Sequence, residues 1–138
     1  MEDSVREVMM KRLLIGLMLL VTATAATAEW TGVGGNDNYI QYADRATIRR
    51  NGNLVKMWDL ADFKTVETVP GYFHLSSKAQ SEYDCKEEKS RTLAFTWFSA
   101  QMGSGNVVYN TSETSMKWEP IALGSIGETL WKIACGKQ

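Results

Sequence analysis

Two cysteines, Cys85 and Cys135, stand 50 residues apart in a chain of 138, and the compartment decides what they do. Lys11-Arg12 is followed by an apolar run from Leu13 to Val21 and then by small residues ending Ala26-Thr27-Ala28. A basic start, a short apolar middle and an A-x-A-like end are the three parts of a secretory signal peptide. The apolar run is too short for a bilayer, which needs roughly 20 residues. The expected arrangement is therefore a signal peptide over 1–28 and one mature domain over 29–138, exported to the periplasm or secreted. Met1 to Val8 carries Glu2, Asp3 and Glu7 where a leader is usually basic, so initiation at Met9 or Met10 is the expected start. In an exported chain an even pair of cysteines reads as a disulfide. Closing a loop of that length removes denatured-state entropy worth about 4 kcal/mol on the chain-entropy model. The spacing excludes a CxxC redox motif.

Taking 28 residues from 138 leaves 110, the size of one domain. The leader holds three bases and three acids of the 15 and 16 in the chain, so 12 and 13 remain, a net charge of −1. Nucleic-acid binding rests on clustered positive charge, and this balance argues against it.

Strand signals come next. Tyr39-Ile40-Gln41-Tyr42 and Ala46 to Arg50 read as one strand interrupted near Asp44. Asn51-Gly52 predicts a type I′ turn into a second strand, Asn53 to Leu60. Leu54, Trp58 and Leu60 share one face and Val55 and Met57 the other, so this strand is expected to be central and covered at least partly on each side. Asp62 to Leu75 reads as a connection containing a Pro70-Gly71 type II turn. Ala79, Ser81, Tyr83 and Cys85 then alternate with Gln80, Glu82 and Asp84, the pattern of a strand with one solvated face. Lys86 to Ser90 reads as a charged loop, Arg91 to Phe98 as a strand, Gly103 to Asn106 as a break and Val107 to Tyr109 as the next strand. Trp118, Pro120 and Ile121 end the extended part.

The last element is a helix. Ser125 and Glu128 make a capping box. Ile126, Leu130, Ile133 and Ala134 form one apolar stripe. Glu128 and Lys132 pair at i, i+4, and Gly136 stands at C′. A helix of about three turns needs packing, and the Cys85–Cys135 bridge would tie it to the sheet.

The ordered set of residues resembles the surface-adhesin protein E family. The resemblance lies in the run Tyr42 to Leu60 with Val55-Lys56-Met57-Trp58, in Glu82-Tyr83-Asp84-Cys85 followed by Arg91, and in the ending from Trp118-Glu119-Pro120-Ile121 through Gly124-Ser125, Glu128 and Leu130-Trp131 to Ala134-Cys135. It implies an α+β fold, with an antiparallel sheet of about six strands and one C-terminal helix disulfide-tethered to one face. It also implies a protein partner of extracellular-matrix type and a homodimer. The founding adhesin is a lipoprotein; no cysteine stands near Ala28 here, so no lipid anchor is expected. Glu82, Asp84, Glu87 and Glu88 make the region around Cys85 acidic, which does not suit a positive docking patch.

Chemistry is sparse. A single histidine, His74, excludes most His-based metal and triad designs and reads as a surface residue. Gly32-Val33-Gly34-Gly35 lacks the Lys and following helix of a phosphate loop. Asp59 and Asp62 read as exposed strand-end charge, and the sequon Asn110-Thr111-Ser112 as chance. Trp97 and Trp131 fit the sheet–helix core, with Trp30 and Trp118 flanking it and Trp58 ambiguous. The expectation is a binding protein without catalytic residues, metal or cofactor, its ligand-binding residues unidentified. The alternative is a periplasmic small-molecule or polysaccharide binder with a pocket between sheet and helix.

Overall fold

The computed structural model describes residues 2–7, 27–113 and 116–138; most of the leader, including its apolar core, lies outside the described residues. Residues 2–7 are helical. The body is an antiparallel meander of β1 (Thr31–Gly35), β2 (Tyr39–Asn51), β3 (Leu54–Val69), β4 (Tyr72–Asp84), β5 (Lys89–Phe98) and β6 (Val107–Thr111), paired in chain order. A stub, β7 (Glu119–Pro120), pairs with the start of β5. The C-terminal helix spans Ile126–Cys135.

Turn chemistry sets this meander. Asn51 pairs with Leu54, which makes Gly52 and Asn53 the central residues of the first hairpin. Gly52 alone has positive φ, at 61°, as in a type II′ turn rather than the expected I′ turn one residue earlier. Pro70-Gly71 closes the second hairpin with Gly71 at φ 87°, the geometry expected of a type II turn. The chain around that turn is not a connection. β3 continues to Val69 and β4 starts at Tyr72, with a register slip between Asp62 and Glu67. Lys64, Thr65, Val66 and Thr68 are exposed on this projecting ribbon. From it Tyr72 and His74 reach the rings of β5 and β6, while its exposed β3 side is held by backbone pairing and carries no alternating apolar signal.

The break near Asp44 is a bulge. β2 and β3 lose register between Asp44 and Arg49. The Thr47 hydroxyl donates to the Asp44 carbonyl at 2.6 Å and accepts from the Trp58 amide at 2.9 Å. The Asp44 carboxylate accepts from the amides of Ala46 and Glu29. An extra loop of backbone is thereby satisfied without leaving the strand.

The helix covers one half of one sheet face. Leu130, Trp131, Ala134 and Cys135 pack on Ala43, Val55, Met57 and Tyr83. Each such burial contributes roughly 1.5–3 kcal/mol for the larger side chains. Gly34 lets the helix close on β1: a Cβ there would lie 2.8 Å from Ile126 Cδ1. Ser125 accepts from the Glu128 amide at 3.1 Å, while the Glu128 carboxylate turns back to the Gly124 amide, one residue short of the reciprocal capping-box bond. Gly136 ends the helix in the left-handed region, and Arg50 donates to the Cys135 carbonyl. Cys85 and Cys135 form the disulfide, with a Cα–Cα distance of 5.6 Å. Trp131 Nε1 donates to the Asp84 carbonyl at 3.0 Å beside it.

Met57 and Leu60, on opposite faces of β3, are both fully buried, as expected of a central strand. The second cover is local: a 3-10 turn, Gln101–Gly103, folds over Leu60 and is held by the Ser76 hydroxyl and the Asp62 carboxylate.

Candidate functional site

The helix leaves the other half of its face open, and strand register says what lies there. Ala43, Asp59, Ala79, Phe95 and Thr111 form one transverse row across β2 to β6; Gln41, Ala61, Ser77, Trp97 and Tyr109 form the next. On this face a hollow of about 540 Å³ opens between the helix and the sheet, floored by Gln41, Asp59, Ala79, Ser81 and Tyr83 and flanked by Ser90, Arg91 and Thr92 of β5. Gly127 and Leu130 wall it from the helix, Met116 and Lys117 rim it from the segment leading into β7, and Glu119 rims it from β7 itself. Its volume is that of a ligand pocket, roughly 300–1,000 Å³.

The floor is polar. Gln41 Nε2 donates to Asp59 Oδ1 at 2.9 Å, and the Ser81 hydroxyl donates to Asp59 Oδ2 at 3.2 Å. Tyr83 is hydrogen-bonded to Ser81. Burial costs the ionised carboxylate its hydration and pushes Asp59 up to about 7, although the Ser81 and Gln41 bonds pull the other way. Burial, with the Asp59 charge behind it, pushes the Tyr83 phenol up as well. No charged partner offsets the Asp59 burial among the described residues. A carboxyl held near neutrality both donates and accepts hydrogen bonds.

This corrects the exposed strand-end reading of Asp59, which is 8% exposed. Asp62 does not pair with it; it points to the other face and accepts from the Met102 amide. The sequence carried a signal: Asp59 is in phase with Val55 and Met57, on the core face, and a charged residue in that phase must be buried or break the pattern.

Beyond the hollow lies an aromatic group. Phe95, Trp97 and Tyr109 sit with ring centroids 5.2 to 5.8 Å apart, and Tyr72 meets Trp97 and Tyr109 edge-on. His74 is buried rather than on the surface, stacked on Trp97 at 4.4 Å with Phe63 edge-on. Burial lowers its pKa against a smaller opposing pull from Glu67. Trp131 is in the sheet–helix core as expected; Trp97 shares that face but lies past the helix, outside the core cluster.

The opposite face carries ion–ring contacts. Lys78 lies 5.7 Å from Trp30 and 5.4 Å from Trp58. Glu82 is buried, not solvated, and takes both Nε and an Nη of Arg91, which lies 4.6 Å over Trp118. The acidic stretch near Cys85 therefore loses one charge to an internal pair. No group of His, Cys, Asp and Glu among the described residues has a metal-holding arrangement.

A rigid, disulfide-tethered antiparallel sheet with an open polar hollow and an aromatic end defines a binding scaffold. The family model described as surface-adhesin protein E matches residues 30–136. The chain belongs to that family and is an adhesin-like surface protein. Crystal form II of Haemophilus influenzae protein E superposes with a TM-score of 0.53 at 13% identity, covering 80% of this chain and 97% of that one. The Se-Met form gives 0.56 at 10%, covering 80% and 95%. Protein E from non-typeable Haemophilus influenzae gives 0.52 at 11%, covering 80% and 86%. At such identities the structures speak for the fold. No curated protein matches the sequence significantly. The family match favours the adhesin-like reading over a dedicated periplasmic small-molecule or polysaccharide binder.

Proposed function

We propose that the chain is exported through a leader ending at Ala28 and acts in or outside the bacterial envelope by gripping a protein partner through the free end of its sheet, without catalysis. The observation that carries this is the exposed apolar set at the projecting β3–β4 ribbon and β6. Phe73 of β4 is 64% exposed and Val107 of β6 57%, and Val66 and Val69 of β3 and Tyr109 of β6 are exposed at the same end of the sheet. Large apolar side chains exposed at one end of a sheet favour a protein contact there over ordinary surface. The tether supports the reading: a bridge between helix and sheet keeps the scaffold rigid in an oxidising compartment, so little ordering entropy is lost on binding.

Surface plasmon resonance of the oxidised protein over immobilised extracellular-matrix proteins tests it. Retention at physiological salt that falls at least tenfold in the double variant Phe73→Asp, Val107→Asp supports the proposal. Retention by none of the matrix proteins, or retention indifferent to the double variant, refutes it.

A further inference from the structure

Asp44 is a buried acid at the β2 bulge, 4% exposed, on the sheet face opposite the helix. Its Oδ1 accepts from the Ala46 amide at 3.1 Å, and its Oδ2 accepts from the Glu29 amide at 3.3 Å. No ion pair among the described residues involves it. A buried carboxylate is ordinarily matched by a cation, because burying one charge alone is costly. The long bond from the Glu29 nitrogen marks the place that a cation would take.

The sheet fixes where that nitrogen lies. Thr31 opens β1 in register with Ala43, so Trp30 alone separates the ladder from Glu29. Trp30 is half-buried, with the Lys78 ammonium 5.7 Å from its ring. Thr27, Ala28 and Glu29 are exposed and lie outside helix and strand, which leaves the Ala28–Glu29 bond open to a leader peptidase. Thr27 and Ala28 line a cleft of about 310 Å³ in which Asp44 is the one acid among the described lining residues, against Arg49 and Lys78. Hydrolysis at Ala28–Glu29 consumes one water. The C–N bond breaks, the water oxygen joins the Ala28 carbonyl carbon, and both water protons end on the Glu29 nitrogen.

We infer that Asp44 is the receptor for the α-ammonium group that leader removal creates at Glu29. The inference rests on a leader ending at Ala28. The amide contact becomes a charge-assisted bond, shorter and roughly twice as strong. Processing thereby ties down the start of the edge strand β1 with an ion pair that the precursor lacks.

The test compares the oxidised chain beginning at Glu29 with one beginning at Thr27, which keeps the Glu29 amide and moves the amine to an exposed residue. At about pH 6.5 the Glu29 form melts about 4 °C or more above the Thr27 form, and Asp44→Asn removes the difference. The α-amino group, followed through its 13Cα signal, titrates above the range of about 7.7–8.0 of an ordinary terminus and returns toward it in Asp44→Asn. The Glu29 carboxylate, Arg49 and Lys78 are present in both chains, so that difference isolates Asp44. Asparagine also disturbs the Ala46 bond; where that variant does not fold, the two wild-type starts and their α-amino titrations decide alone. Equal melting of the two starts, a more stable Thr27 start, an α-amine titrating in the ordinary range, or a difference that survives in folded Asp44→Asn each overturn the inference. N-terminal sequencing of the exported protein separates this failure from that of the leader boundary. A native start other than Glu29 overturns both, whereas a Glu29 start without the gain overturns the inference alone.

Discussion

Asp59→Asn isolates the energetic consequence of burying a carboxyl under an open hollow. In the unfolded chain Asp59 titrates near 3.8, and in the fold near 7. Between those values the unfolded state has given up a proton that the folded state keeps. Stability therefore falls as pH rises from about 4 to about 7 and levels off above that. The full difference corresponds to about 4 kcal/mol. Water reaching the floor through the open hollow reduces this, so about 2–4 kcal/mol is the working range. Asparagine has nearly the same shape and cannot ionise. A flip of the Gln41 amide keeps both of its neighbours bonded, at a cost of about 1 kcal/mol in rearranged hydrogen bonds.

Urea unfolding of wild type and variant at about pH 4 and about pH 8 gives four free energies. The variant is expected to be neutral or slightly weaker at the lower pH and stronger by about 2–3 kcal/mol at the higher, a rise in Tm of roughly 10 °C for a domain of this size. His74 works in the other direction. Its burial-lowered pKa leaves the unfolded state binding more protons below 6.5, so its contribution is lost as pH falls. It is present in both proteins and cancels in the difference. A stability difference that stays constant from about pH 4 to about pH 8 refutes the buried-carboxyl account.

Two further perturbations test the frame around the hollow. Cys135→Ser is expected to lose about 4 kcal/mol, with faster amide exchange concentrated in Ile126–Cys135; identical melting in oxidising and reducing buffer contradicts a tethering role. Glu82→Ala strands the partly buried Arg91 guanidinium, 2.7 Å from its lost partner, at a cost of about 2 kcal/mol. Adding Arg91→Ala should recover part of that loss in a double-mutant cycle, and no recovery excludes the pair as the cause.

The elements legible in the sequence are those whose signal is local. The Pro70-Gly71 turn, the Gly52 turn to within one residue, and the helix between Ser125 and Gly136 each depend on residues a few positions apart, and backbone conformation there is set by the presence of glycine, proline or a capping hydroxyl. The disulfide was legible for a different reason: with two cysteines there is one pairing to consider. The β3–β4 ribbon was hidden because its β3 half is largely exposed and held by backbone hydrogen bonds, which leave no trace in side-chain hydropathy, while its inward residues, Tyr72 and His74, are polar-tipped rings that read as surface.

The hollow was illegible because its parts are long-range. Asp59 is satisfied by Gln41 and Ser81, 18 and 22 residues away, and neither can be assigned to it until the register of three strands is fixed. A slip of one residue in β2 or β4 would send its side chains to the opposite face and leave the carboxyl buried without donors, at a cost that the fold does not tolerate. The same trio of Asp59, Gln41 and Ser81 on the floor of the hollow therefore also rejects misregistered sheets. It weakens the correctly folded state above neutral pH while discriminating against its nearest competitors. This makes Asp59→Asn informative beyond its stability: a more stable variant that populates a second sheet register shows that the carboxyl is kept for specificity of folding, whereas a more stable variant with a single register shows that the remaining contacts fix the pairing without the acid.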